Sequence, residues 1–293
     1  MHRLAMMCAL ALLMTFHHSC QPSSVRRVTE VTRYVSAQDQ GGNTAIVIEH
    51  YAKFIDEVVY PGREKITPLK DELRQVAVSR SGERVEQRRL DPFYLEPHPV
   101  IIDAGVIENQ TYLLDLDDRK FSVIRTAPNG KTRKIFIGFA RMVYYQGQTE
   151  VLYVDEVSLG ILNLKDGSIR PVPQNDQPAA ERASKIAIDM QFSQSMCLLK
   201  GKAYFASIKI DKKGSWRASV VDLADTDKEV CALILRGNYT DPGIKMTPYE
   251  NGGIALSVYG LVEGEKFRLE SFRIIKEFDD GRVKVEPAFD LEL

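Results

Sequence analysis

The most apolar stretch lies at the start of the chain, where residues 4–16 read LAMMCALALLMTF and follow Met1-His2-Arg3. A helix that spans a bilayer needs about 20 apolar residues. A shorter run after a basic start is typical of a secretory signal. A buried helix is the weaker interpretation, because a helix apolar on every face would precede a polar stretch with nothing to pack on. We therefore predict a signal peptide over residues 1–19.

The signal ends at a cysteine, since residues 16–20 read FHHSC. This ending resembles the lipobox of bacterial lipoproteins, with Ser19 at the small position before the cut and His17 where leucine is usual. The resemblance implies cleavage before Cys20 and lipidation of its thiol with diacylglycerol and a fatty acyl (palmitate-type) chain. Gln21 is not the aspartate that retains such proteins at the inner membrane, which favours the outer membrane. The alternative is an ordinary signal that releases a soluble secreted protein.

The rest of the chain alternates short apolar runs with turn residues. Residues 112–116, 120–124 and 133–137 read YLLDL, KFSVI and RKIFI, and Asn129-Gly130 precedes the third. Asn-Gly between such runs is the strongest short hairpin signal, because both turn residues need positive φ. Similar pairs occur at Ser81-Gly82, Asp166-Gly167, Lys213-Gly214 and Asp280-Gly281. The pattern predicts an all-β fold.

The strand pattern also repeats at long range. Taking Asp115, Asp155, Ser207 and Ser257 as equivalent positions gives steps of 40, 52 and 50 residues. Blades of a β-propeller repeat at about 40 to 50 residues, each as a four-stranded sheet. We predict a five- or six-bladed propeller over residues 44–293, with residues 44–50 completing the last blade. A β-sandwich or two small β-domains are the alternatives.

One stretch carries a family resemblance. Residues 151–173 read VLYVDEVSLGILNLKDGSIRPVP: a strand ends in an acidic residue, and an Asp-Gly turn follows the next strand. This looks like one blade of the NHL/YVTN and TolB-like β-propeller group, and residues 100–139 follow the same outline. The resemblance implies a propeller and does not indicate a ligand.

Composition predicts a flexible segment after the signal and excludes one class of partner. Residues 21–43 are rich in Ser, Gln, Gly, Thr and Arg, which predicts a flexible tether over residues 20–43 because such a segment buries too little apolar surface to order itself. Loss of Arg3 with the signal leaves 38 of the 39 basic residues against 40 acidic ones, a formal charge of −2. The signs are interspersed, so no nucleic-acid partner is expected.

Cysteines and histidines are sparse after processing. Cys197 and Cys231 remain, and the strand pattern puts them on non-adjacent strands of one sheet, too far apart to bridge. His50 and His98 are the remaining histidines, and lone histidines are more often packed or exposed than catalytic. The sequence contains no HExxH, Cys-x-x-Cys, Gly-x-Ser-x-Gly or Gly-rich phosphate motif. No metal, cofactor or catalytic residue is therefore predicted.

Acidic and aromatic pairs are the remaining candidates for chemistry. Asp115, Asp117 and Asp118 have part of a calcium-loop spacing but lack the glycine and the distant glutamate. Asp155-Glu156 occupies the matching place in the next repeat. Carboxylates on one face could serve a glycosidase, although strand-end acids are common for turn geometry alone. The aromatic residues Tyr144, Tyr145 and Trp216 could stack on sugars or pack in the core.

These observations favour a membrane-anchored, non-enzymatic binding or scaffold module in the cell envelope. Its expected partners are the membrane, through the lipid, and a protein or carbohydrate outside the cytoplasm. The alternatives are a carboxylate-based hydrolase acting on glycans or small molecules, and a soluble secreted lectin-like protein. An enzyme needs acids that converge in a deep pocket with shifted pKa values, whereas a binding module presents a surface patch.

Overall fold

The described part of the chain is built almost entirely from antiparallel strands. The computed structural model describes residues 25–40, 43–59, 63–90, 100–117, 120–129, 132–137, 142–145, 149–154, 158–189, 194–249, 252–263, 266–276 and 283–293. Within these residues the strands form five sheets, each made of strands that follow one another along the chain. This arrangement is a five-bladed β-propeller, which confirms the predicted fold class and sets the blade number at five.

The blades have the following strands. Blade 1 contains β1 (Val25–Asp39), β2 (Thr44–Val59), β3 (Arg63–Ser79) and β4 (Arg84–Arg89). Blade 2 contains β5 (Val100–Ile107), β6 (Gln110–Asp117), β7 (Lys120–Thr126) and β8 (Thr132–Ile137). Blade 3 contains β9 (Glu150–Val154), β10 (Leu159–Asn163) and β11 (Ile169–Pro171). Blade 4 contains β12 (Gln194–Leu199), β13 (Lys202–Ile210), β14 (Trp216–Asp222) and β15 (Asp225–Ile234). Blade 5 contains β16 (Tyr239–Tyr249), β17 (Gly253–Val262), β18 (Lys266–Lys276) and β19 (Val283–Glu292).

Turn chemistry places the hairpins where the sequence predicts them. Gly82, Gly167 and Gly214 lie between consecutive strands with φ of 85°, 80° and 81°, a region that favours glycine because a side chain would clash there. Gly130 and Asp280-Gly281 lie outside the described residues. The predicted repeat is also confirmed in its spacing, because β6, β9, β13 and β17 each hold or directly precede one of the four equivalent positions.

Blade 3 is completed by a short innermost segment instead of a full strand. Tyr144 forms an antiparallel bridge with Val151 of β9 and a parallel bridge with Cys197 of β12. The backbone N–H of Leu198 donates to the carbonyl of Tyr144 at 2.7 Å. Residues 142–145 therefore act as the first strand of blade 3 and connect it to blade 4, which makes β9 the second strand of its blade.

The ring closes by packing of blade faces. One apolar cluster joins Ala45, Val47 and Val76 of blade 1 to Leu269 and Leu291 of blade 5. A second cluster joins blade 1 to blade 2, and a larger one spans blades 2 to 5. The prediction that residues 44–50 complete the last blade is wrong, because they belong to β2 in the middle of blade 1. Blade 5 already has four strands of its own, β16 to β19, so no early strand is needed to complete it.

The chain is ordered into strand earlier than predicted. β1 occupies Val25–Asp39, inside the segment predicted to be a tether, and the folded region therefore begins before residue 44. Pairing explains the difference, because β2 satisfies the backbone groups of β1 and its inner end buries Ser36 and Ala37. The amino-acid composition of the segment gives no sign of this pairing and burial.

Two compact units divide the chain. The large unit comprises Tyr34–His50 and Leu73–Leu293. The small unit comprises Tyr51–Glu72 and the chain up to Arg33, so its described part consists of residues 25–33, 51–59 and 63–72. It is made of the corresponding parts of β1, β2 and β3.

The helix in the described residues was not predicted. Helix α1 spans Gln177–Asp189 and has Pro178 in its first turn, where a missing N–H costs nothing. Its alanines at 179, 180, 183 and 187 are buried and form one helical face against blades 3 and 4. Small alanine side chains weaken the apolar periodicity, which hid the helix in the sequence.

Candidate functional site at the ring centre and the blade 5 cleft

The first strands of different blades meet at the centre of the large unit. Gln38 Nε2 on β1 donates to the carbonyl of Val106 on β5 at 2.8 Å, and the Val106 N–H donates back to Gln38 Oε1 at 3.1 Å. The Met246 N–H on β16 donates to Ser195 Oγ on β12 at 2.9 Å. These side-chain and backbone bonds hold the innermost strands together.

A buried ion pair lies among these strands. Lys245 Nζ on β16 lies 2.7 Å from Asp103 Oδ1 on β5. The ammonium also lies 4.8 Å from the ring centroid of Tyr144, a cation–π distance. The exposed fraction is 3% for the Lys245 side chain and 25% for that of Asp103, so the cation is the more deeply buried partner.

Burial and charge fix the protonation of this cluster. Burial alone disfavours the charged form of Lys245, but the Asp103 carboxylate outweighs it and the pKa of Lys245 is raised. Burial raises the pKa of Tyr144, and burial together with the Asp103 charge raises that of Tyr259. At neutral pH the cluster thus holds a charged lysine beside neutral phenols, which makes it a fixed electrostatic contact.

Two glycines make room for the central phenols. A Cβ at Gly105 would overlap the Tyr144 hydroxyl, and a Cβ at Gly243 would overlap the Tyr259 ring. Both glycines lie on first strands, β5 and β16. These two phenols therefore pack directly against the backbone of first strands.

A second buried ion pair closes the ring between blades 1 and 5. Arg273 Nη2 on β18 lies 2.6 Å from Asp39 Oδ2 on β1. Ser271 Oγ donates to the same carboxylate oxygen at 3.0 Å, and the Arg273 guanidinium lies 4.6 Å from the Tyr249 ring centroid. This pair therefore links the first blade in the chain to the last one.

A polar cleft opens at blade 5. Its volume is about 320 Å³. It is formed by the β15–β16 connection, the β17–β18 turn, the start of β18 and the end of β19. The side chains that carry its chemistry are those of Arg236, Asn238, Glu263, Lys266, Arg268 and Glu292.

Carboxylates engage each cation of this cleft. Arg268 Nη2 donates to Asp290 Oδ1 at 2.9 Å, and Lys266 Nζ donates to Glu292 Oε1 at 2.9 Å. Arg236 Nη1 donates to Asp290 Oδ2 at 3.0 Å. The hydrogen bond from Lys266 lowers the pKa of Glu292, the opposite of what a general acid requires. The cleft offers alternating donors and acceptors for polar recognition.

The described part of the cleft and the ring centre includes none of the histidines and acidic residues that the sequence analysis named as candidates. Outside the described residues are Cys20, His98, Asp118, Asp155 and Glu156. Asp115 and Asp117 lie in β6, and His50 lies in β2. Lipidation at Cys20 and convergence of the strand-end acids therefore stay predictions.

The aromatic candidates pack in the interior. Tyr144 and Tyr145 are buried, and the Tyr145 hydroxyl donates to Asp176 Oδ2. Trp216 is half-buried against the main apolar cluster. The packing interpretation of these three residues is confirmed.

The two thiols are unpaired, as the strand pattern predicts. Cys197 on β12 is buried and Cys231 on β15 is partly buried. β12 and β15 are the first and fourth strands of blade 4. Burial raises the pKa of Cys197, and burial with the nearby Glu229 raises that of Cys231 to about 11.

The described residues lack both a metal-binding cluster and a membrane-spanning helix. They contain no group of three or more His, Cys, Asp or Glu side chains placed to hold a metal ion. Within the same ranges, no helix has the length and apolar character needed to cross a membrane.

Comparison with known proteins yields distant structural likeness. No protein-family model matches the chain, and no curated protein matches it. The chain is similar to a triple arginine-to-alanine mutant of AofleA from Arthrobotrys oligospora, at 8% identity and TM-score 0.35 over 94% of each chain. It is similar to a proposed 6-phosphogluconolactonase of Bacteroides fragilis, at 10% identity and TM-score 0.30 over 87% of this chain and 85% of that one.

A third similar structure is the dihydro-heme d1 dehydrogenase NirN in complex with DHE, at 8% identity and TM-score 0.28. The alignment covers 83% of this chain and 64% of that one, so the chain spans less than two thirds of its length. Such values carry no information about activity or ligand. The assignment to the NHL/YVTN and TolB-like group stays a prediction, and the propeller fold fits a binding or scaffold module.

Sequence reasoning missed Lys245 and Asp103. Both interrupt apolar runs, in Gly243-Ile244-Lys245-Met246 and in residues 100–107, VIIDAGVI. A single charge inside an apolar strand is the available signal, because it must be paired when the strand is buried on both faces. A charge in an apolar strand does not identify the residue that pairs with it, and here that residue lies 142 positions away in the chain.

Proposed function

We propose that the protein is an exported lipoprotein, cut before Cys20 and lipidated there, whose propeller is a non-enzymatic binding or scaffold module outside the cytoplasm. The observation that carries the module role is the centre of the ring. There, in the described residues, Lys245 is paired with Asp103 and the phenols of Tyr144 and Tyr259 pack against the backbone of first strands. We therefore assign the binding of a partner to the outer surface of the propeller.

The anchor rests on the first twenty residues. A 13-residue apolar run follows a basic start, and Ser19-Cys20 lies at its end. This order is what processing of a lipoprotein signal requires. The envelope location and the membrane partner follow from the same segment, and Gln21 favours the outer membrane.

The blade 5 cleft is the surface we assign to a protein partner. Its exposed cations, Arg236 and Lys266, alternate with Asp290 and Glu292. A partner with the complementary order of charges would exchange these ion pairs for intermolecular ones, which confers specificity and fast association more than raw affinity. A carbohydrate partner, which would use the same donors and acceptors as hydrogen bonds, is the alternative outcome.

Intact mass of the membrane-extracted protein tests the anchor. We expect a chain that begins at Cys20 and carries diacylglycerol and a fatty acyl group. A Cys20→Ala variant should lose both the added mass and membrane association. A soluble, unmodified mature chain from the wild-type gene would overturn the lipoprotein and leave a secreted lectin or hydrolase to be tested.

Site-specific photocrosslinking in the envelope tests the cleft. A crosslinker at Asn238 should capture a discrete partner, and Arg236→Glu with Lys266→Glu should abolish the product. A crosslinker at Lys213, in the exposed β13–β14 turn, is the matched control. Equal products from both positions would contradict the assignment of the cleft.

A further inference from the structure

The small unit exposes apolar and basic side chains at one end. Val28 and Ile66 are 54% and 62% exposed, and Arg26, Arg27 and Lys65 are exposed as well. All five lie on β1 and β3, the two strands that flank β2 in this sheet. Exposed apolar side chains in one place indicate a surface with a partner.

Side-chain contacts fix which residues share this end. Lys53 Nζ donates to Glu30 Oε1 at 2.6 Å, and Lys70 Nζ lies 5.8 Å from the Tyr51 ring centroid. With antiparallel hairpins, these two pairings bring residues 25–28, 55–59 and 63–66 together. We call this region the N-terminal end of the small unit. Strand alternation then puts Arg26, Val28 and Ile66 on one face and Arg27 and Lys65 on the opposite face, so cations flank this end on both sides.

Among the side chains of this end that the structure describes, the exposed charges are basic. Arg26, Arg27 and Lys65 are exposed, whereas Asp56 and Glu57 on the middle strand are half-buried. Each basic side chain near an anionic leaflet contributes about 1 kcal/mol to binding, or roughly fivefold in affinity. Cations beside apolar side chains match the boundary between headgroups and acyl chains.

The length of chain before β1 limits where this end can lie. β1 begins at Val25, five residues after Cys20. Even fully extended, five residues reach at most about 17 Å. A lipid on Cys20 therefore holds the N-terminal end of the small unit within about 17 Å of the membrane interface.

We propose that the N-terminal end of the small unit is a membrane-docking surface that binds anionic lipid headgroups. Arg26, Arg27 and Lys65 contact headgroup phosphates, and Val28 and Ile66 reach the acyl boundary. The inference rests on the proposed lipid anchor for its geometry. Membrane attachment then has two components, the lipid on Cys20 and the basic and apolar surface. Together they hold the protein more firmly than either one alone.

Vesicle binding of the unacylated Cys20→Ala protein tests the surface without the lipid. Vesicles with about 30% phosphatidylglycerol should bind it more tightly than phosphatidylcholine vesicles, and about 0.5 M salt should remove the difference. Reversal of Arg26, Arg27 and Lys65 to Glu should weaken binding at least about 100-fold. Reversal of Lys209, Lys212 and Lys213 in blade 4, a matched change of charge, should have little effect.

Hydrogen exchange on the acylated wild-type protein in the same vesicles completes the test. We expect protection at residues 25–28 and 63–66 relative to detergent, and loss of that protection in the triple reversal. A correct lipid mass with equal exchange in both proteins would overturn the docking surface and leave the anchor standing. A mass without lipid would overturn the anchor, while the Cys20→Ala vesicle result would still decide whether the surface binds lipid.

Discussion

Removing one partner of the Lys245–Asp103 pair should have unequal effects. Asp103→Asn leaves the Lys245 ammonium, 3% exposed, without a counterion. Lys245→Met leaves a carboxylate that is 25% exposed and still accepts the Ala104 N–H at 2.8 Å. We therefore expect Asp103→Asn to be the more costly change.

The magnitudes follow from burial. Breaking a buried pair by removing one partner costs about 3–5 kcal/mol. We expect about 3 kcal/mol for Asp103→Asn, because the Tyr144 ring and the amide oxygen retain some contact with the ammonium. Lys245→Met should cost about 1–2 kcal/mol, since its partner keeps solvent and a backbone donor. The double variant should cost less than the sum of the single changes.

The pH dependence provides an independent check. In the wild type the pKa of Lys245 is raised, so its contribution to stability is complete below the unfolded pKa of about 10.4 and is lost as pH rises through the folded pKa. Without Asp103, burial dominates and the pKa falls below the unfolded value. The stability of Asp103→Asn should then increase between about pH 7 and 9, by at most about 1.4 kcal/mol per pH unit.

Urea unfolding followed by Trp216 fluorescence measures these effects, because Trp216 is the one tryptophan of the chain and packs against the main apolar cluster. The reasoning would be refuted if Lys245→Met cost as much as Asp103→Asn. It would also be refuted if the stability of Asp103→Asn did not rise relative to that of the wild type between pH 7 and 9.

Three further predictions concern the centre and the thiols. Gly105→Ala should destabilise the fold by about 1–3 kcal/mol, because its Cβ overlaps the Tyr144 hydroxyl; Tyr144→Phe should rescue part of this loss in thermal unfolding, and additive losses would contradict the overlap. A thiol reagent at pH 8 should modify Cys197 and Cys231 of the Cys20→Ala mature protein quickly in urea and slowly in the native state; rapid native modification of either would show that its burial is wrong. The free energy of unfolding should fall as pH rises from about 9 to 12, because the pKa values of Cys231 and Tyr204 are raised to about 11 and about 12 and the unfolded chain releases these protons first; a flat profile in urea titrations would contradict it.

The sequence by itself determined the local structure of the propeller. The hairpins at Gly82, Gly167 and Gly214 and the alternating strands beside them depend on neighbouring residues, whose turn chemistry and side-chain alternation can be read directly. The spacing of Asp115, Ser207 and Ser257 marked the second strands of three blades for the same reason. Each blade is a local unit of consecutive strands.

Only the tertiary structure decided what these units do together. Lys245 meets Asp103, and Arg273 meets Asp39, because ring closure brings strands of different blades into contact, and no local pattern encodes that distance. β1 was predicted as a tether since its polar composition conceals the partners that order it. Helix α1 was missed since alanine is too small to mark a buried face until blades 3 and 4 supply the surface against which it packs.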